Sequence, residues 1–134
     1  MVSIRKIEGI GQVYADKLKQ AGITTVEALL EKAASAKGRE ALAEQIGVSA
    51  KQILEWANRA DLMRIKGIGE EFSDLLEAAG VDTVVELARR NADNLYEKLQ
   101  QVNAEKKLVR RLPTRDQVKD WIEQAKNLPR VLTH

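Results

Sequence analysis

Apolar residues recur along this chain at intervals of three and four, the spacing that gathers side chains on one face of an α-helix. Val13, Tyr14, Leu18 and Ala21 form the first such run. It stops at Gly22, which reads as the left-handed residue just past a helix end, with Ile23 placed for the accompanying hydrophobic contact. A second helix is predicted through Val26, Leu29 and Leu30, opened by a capping box of Thr24 and Glu27. After a short connection at residues 35–38, Leu42 and Ile46 carry a third helix as far as Gly47. Ser49 and Gln52 then cap a fourth, bearing Ile53, Leu54, Trp56, Ala57 and Ala60. Strand-like alternation is nearly absent.

The pattern then starts again. Phe72, Leu75, Leu76 and Ala79 precede Gly80, Thr83 and Glu86 restart a helix through Val84, Leu87 and Ala88, and Leu95, Leu99 and Val102 answer to Leu42, Ile46 and Val48. The copies diverge at residues 105–113, inserted before a closing helix capped by Thr114 and Gln117 and carrying Val118, Trp121, Ile122 and Ala125. Pro113 fits that connection, and Pro129 marks where helix ends and a tail begins. Trp121 is the counterpart of Trp56, and Phe72 of Tyr14. Their equivalent places on amphipathic helices favour core packing over base stacking. Laid over each other without gaps, residues 7–30 and 65–88 agree at about 11 of 24 positions, an internal repeat. The expected fold is all-α, with two tandem units of about four short helices each, residues 1–62 and 63–134, packed as one compact domain. The second unit carries a basic insertion near residues 105–115 and a short C-terminal tail.

Composition narrows the function. A hydrophobic content of 44% with 31% charge is that of a soluble globular protein, and 4% aromatic residues favours helix. The net charge of +2, from 22 basic and 20 acidic residues, is too small to announce a nucleic-acid partner, so charge distribution must decide. There is no cysteine, hence no disulfide framework or thiolate, which suits a reducing cytoplasm. The only histidine, His134, is terminal. Carboxylates fall on predicted exposed helix faces beside Lys or Arg, as Glu27, Glu31 and Lys32 do. With no nucleophile elbow and no Gly-x-x-x-x-Gly-Lys-Ser/Thr sequence, an enzyme is not expected, nor is a metal or cofactor. No apolar signal core or membrane-length stretch is present, and the expected location is cytoplasmic.

The residues with the sharpest chemical meaning are Gly9-Ile10-Gly11 and Gly67-Ile68-Gly69, each opening a helix. They resemble the helix-hairpin-helix motif of DNA-repair and recombination proteins. The longer match, Ala-Gly-[Ile/Val]-x-Thr-Val-x-x-Leu, is similar to the hairpin-containing N-terminal domain of archaeal recombinases and to modules in topoisomerases and polymerase subunits. Nearly the whole chain, with its Trp-bearing helices and its 61–65 segment, resembles a bacterial domain-of-unknown-function family numbered 4332. The resemblance implies nonspecific contact with a DNA phosphate backbone, less readily with structured RNA: main-chain N–H groups of the hairpin and the helix N-terminus face an anion. Carried over, the phosphate-facing positions are Gly9, Ile10, Gly11 and Gln12, and Gly67, Ile68, Gly69 and Glu70. The Ile10 and Ile68 side chains are expected to anchor each turn in the core.

Local charge makes the copies unequal. Arg5 and Lys6 precede the first turn and Lys17 and Lys19 follow it, with Glu8 as an unfavourable neighbour. Arg64 and Lys66 precede the second, but Glu70, Glu71, Asp74, Glu77, Asp82 and Glu86 follow it with no basic residue between. The first hairpin is therefore the better binding candidate. A further basic cluster, Lys106, Lys107, Arg110, Arg111 and Arg115, sits in the insertion and is a second candidate contact for phosphate or an acidic partner. The alternative is a protein-interaction or assembly module whose hairpins are purely structural, self-associating through the acidic helices at 70–86 and the basic loop at 106–115.

Overall fold

A computed structural model describes residues 2–134 and shows an all-α protein. The described residues form eight α-helices, preceded by a 3-10 turn at Ile4–Lys6: α1 Gln12–Gln20, α2 Val26–Lys32, α3 Ala36–Ile46, α4 Ala50–Leu62, α5 Glu70–Ala78, α6 Val84–Ala88, α7 Ala92–Lys106 and α8 Arg115–Lys126. The chain divides into two compact units, Met1–Asp61 together with Val131–His134, and Leu62–Arg130.

In the first unit, α1 ends as its Gly22 predicts. The N–H of Gly22 donates to the Lys19 carbonyl (2.9 Å) and that of Ile23 to the Leu18 carbonyl (2.8 Å), with Gly22 at φ 82°. Ile23 and Leu18 are both buried, completing the helix stop. The cap of α2 differs from expectation. Thr25, not Thr24, accepts from the backbone of Ala28 (3.1 Å), and the Glu27 carboxylate accepts from the N–H of Val2 (3.1 Å). The cause is the N-terminal segment: Ile4 N–H donates to the Thr24 carbonyl and Val26 N–H to the Val2 carbonyl, which pairs Ser3 with Thr25 and holds Thr25 in the extended conformation of an N-cap. The 35–38 connection is shorter than expected, since α3 begins at Ala36 and only Ser35 of that stretch lies outside the helix. Ser35 caps Gly38 (3.0 Å), and a Cβ on Gly38 would stand 2.4 Å from the Lys32 carbonyl oxygen, so only glycine fits this start of α3.

Arg39, placed on α3, is a buried cation. Its guanidinium donates to the carbonyls of Ala33 (2.9 Å) and Ala34 (3.2 Å), closing the end of α2, and burial pushes its pKa below the ordinary arginine value against the opposing pull of Glu40. The tail adds to the same corner, with Thr133 N–H on the Ala34 carbonyl (2.8 Å) and Leu132 buried.

The second unit uses the same devices. Gly80 (φ 90°) and Val81 close α5 onto the Glu77 and Leu76 carbonyls, and Thr83 caps Glu86 (3.3 Å). Thr114 and Gln117 form the expected capping box at α8. Its core gathers Leu75, Leu76, Leu87, Leu95, Leu99 and Trp121, among others.

Candidate nucleic-acid interface

Each Gly-Ile-Gly turn is seated on a tryptophan. Trp56 and Trp121 are each 1% exposed, and Tyr14 and Phe72 pack against them at ring-centroid distances of 5.1 Å and 5.2 Å. Ile10 and Ile68 point into the core as expected. A Cβ on Gly9 would stand 3.6 Å from Trp56 Nε1, and one on Gly67 would stand 3.0 Å from Trp121 Nε1. With φ of 92° and 101°, these first glycines are required by the turn itself.

The second glycine of each turn is different. Gly11 and Gly69 have ordinary negative φ values of −88° and −112°, and a Cβ on either would meet nothing within 4 Å. Neither conformation nor packing demands glycine there. Both are helix N-caps without a capping side chain, whereas Thr25, Ser35, Ser49, Thr83, Asn91 and Thr114 each supply one to their helices. A bare glycine N-cap leaves the first-turn N–H groups open to an approaching anion, on the positive end of the helix dipole.

The two open N-termini carry opposite surroundings. The first turn of α1 has no acidic residue, and exposes Val13 (67%), which its place in the helical apolar pattern does not predict. The first turn of α5 has Glu70 and Glu71. On α1, the face formed by Gln12, Ala15, Asp16 and Lys19 lines a groove of about 200 Å³ with Ser3, Ile4, Arg5 and Thr24. Lys17 does not join it: its ammonium lies over the Tyr14 ring at 5.9 Å, and it lines a separate depression with Gln45 and Ile46. Lys6 is exposed on the 3-10 turn, and Lys66 is exposed at the second turn.

The basic insertion is an ordered knuckle. Lys106 ends α7, Lys107 takes a left-handed conformation (φ 51°), and the Asn103 side chain clamps the backbone of Val109 through two bonds of 3.0 and 3.1 Å. Val109 and Pro113 are buried, which leaves Lys106, Lys107, Arg110 and Arg111 exposed. Arg115 is separated from that group by its own contacts, an ion pair with Asp93 (2.6 Å) and a position over the Tyr96 ring at 5.0 Å.

A family model described as a domain of unknown function (DUF4332) matches residues 8–128. The chain belongs to this DUF4332 family. The matched span covers both glycine turns, both tryptophans and the basic knuckle, so these features all lie within the DUF4332 domain. No curated protein and no solved structure matches the chain. Among the described residues no cluster of His, Cys, Asp or Glu is arranged to hold a metal ion, and no helix is long and apolar enough to cross a membrane.

Proposed function

We propose that this protein is a non-catalytic DNA-binding module that holds the phosphate backbone without reading sequence, through the first Gly-Ile-Gly hairpin and the N-terminus of α1. The observation that carries this reading is Gly11 at the head of an acid-free first turn, a glycine that neither the turn nor the packing needs, standing where a side chain would obstruct an anion approaching the first-turn N–H groups. Gly9, Ile10, Gly11 and Gln12 provide the main-chain contact, Lys6 and Lys19 supply nearby positive charge, and Lys17 is a peripheral contributor. The exposed Lys106, Lys107, Arg110 and Arg111 are a separate candidate phosphate contact on the second unit. Arg115 contributes to that contact only by giving up Asp93.

The second hairpin serves packing in this reading, because a phosphate at Gly67 and Gly69 would meet Glu70 and Glu71. That same acidic first turn favours a second reading, in which the chain is an assembly module and the second unit docks a basic protein surface or another copy of itself. Anisotropy titrations against duplex, single-stranded and branched DNA and an RNA hairpin, each at two salt concentrations, separate the two. Binding that weakens linearly on a log-log salt plot, with a shallow slope set by few phosphates, supports the DNA reading. Flat titrations throughout, with a dimer or larger species in solution, support assembly.

A further inference from the structure

The groove beside α1 has a chemistry that the hairpin alone does not explain. Its rim carries Arg5 from the 3-10 turn and Lys19 from α1, both exposed, with Ser3, Gln12 and Thr24 as polar neighbours and Ile4 and Ala15 beneath. Gln12 and Lys19 are seven residues apart, about 10 Å along the helix axis, and a lysine stem leans back toward the helix N-terminus by about a turn. Lys19 therefore reaches toward the level of Asp16 and Gln12. The one carboxylate in the groove, Asp16, is already engaged, accepting from the Gln12 amide at 2.7 Å.

The corresponding place in the second copy is a charge-reversed counterpart. Continuing the gap-free alignment, Ser3, Arg5, Gln12, Asp16, Lys19 and Thr24 correspond to Asp61, Met63, Glu70, Asp74, Glu77 and Asp82. Two cations and one carboxylate in the first copy are replaced by no cation and five carboxylates, of which Glu70, Asp74, Glu77 and Asp82 are half-exposed and Asp61 is buried. Packing does not explain the two cations of the first copy, since Arg5 and Lys19 are both exposed.

We infer that the Arg5–Lys19 groove seats a second phosphate of the DNA strand whose neighbouring phosphate sits on the first hairpin. This rests on the hairpin reading and adds a contact to it: main-chain N–H groups hold one phosphate, and two side-chain cations hold the next. The held strand then runs along the Gln12–Lys19 face of α1. Asp16 opposes the second phosphate and limits affinity.

Anisotropy titrations of a labelled DNA duplex with the full chain, over a series of salt concentrations, test this. Arg5→Gln with Lys19→Gln is expected to weaken binding roughly tenfold near 0.1 M salt and to flatten the log-log salt slope by about one. Asp16→Asn, which keeps an acceptor for Gln12, is expected to tighten binding about two- to threefold. All three side chains are exposed, so thermal melting should match wild type and exclude a folding explanation. If wild type binds and the Arg5/Lys19 variant shows the same affinity and slope, the groove assignment is overturned while the hairpin reading stands. A wild-type chain that binds no duplex even at low salt overturns both.

Discussion

Around the first glycine turn stand Arg5, Gln12, Val13 and Lys19; around the second, the aligned positions hold Met63, Glu70, Glu71 and Glu77. Beneath both turns lie the same parts: a tryptophan, an aromatic partner, a buried isoleucine and a helix closed by a left-handed glycine. The shared side chains are buried or half-buried, and the side chains that differ at these four positions are exposed or half-exposed at the rim. The units thus keep one solution to the folding problem and present two different surfaces. Acidic residues at a helix start stabilise that helix, so Glu70 and Glu71 make α5 a better helix and a worse anion site. The first turn of α1 has no acidic residue.

The most disruptive way to probe this comparison is to remove what the units share. Trp56→Ala and Trp121→Ala should each cost about 3–5 kcal/mol in urea unfolding, because each leaves a cavity under a glycine turn. Markedly unequal costs would mean that the two turns are not supported alike. Exchanging the rims comes next. Gln12→Glu with Val13→Glu gives α1 the acidic start of α5 and should weaken duplex binding about tenfold in anisotropy titrations while leaving the melt unchanged or slightly raised. Glu70→Gln with Glu71→Val in the second unit should leave the same titration unchanged or improve it. The smallest effect concerns the caps. Thr25→Ala should lower stability by about 1 kcal/mol, as should Thr83→Ala, whereas Thr24→Ala should fall within about 0.5 kcal/mol of wild type. A larger loss at Thr24 than at Thr25 would contradict the observed cap of α2.

The contrast also shows which parts of the molecule could be read in advance. The repeat, the glycine stops at Gly22 and Gly80, and the Ser49, Thr83 and Thr114 caps were visible because each is a local device with its residues a few positions apart. Thr25 was not, because the choice between adjacent threonines is made by Val2 and Ile4, far away in sequence. Arg39 and Asp61 defeat the expectation that charged helix residues face solvent: both are buried, and the partners of Arg39 are carbonyls at a helix end that no side-chain pattern announces. The separation of Lys17 from Lys19 was available from helical geometry, since residues two apart lie on nearly opposite faces. The groove itself needed the 3-10 turn, whose position rests on long-range backbone pairing with Thr24.

In the proposed function Gly11 is kept for a ligand and not for the fold, and one paired measurement tests it. Gly11→Asp and Gly69→Asp each place a good N-cap on an open helix start and should each raise stability by a few tenths of a kcal/mol in urea unfolding. Measured alongside in a duplex-DNA anisotropy titration, Gly11→Asp is expected to abolish binding and Gly69→Asp to leave it unchanged. Full-strength binding by a folded Gly11→Asp protein would contradict the account.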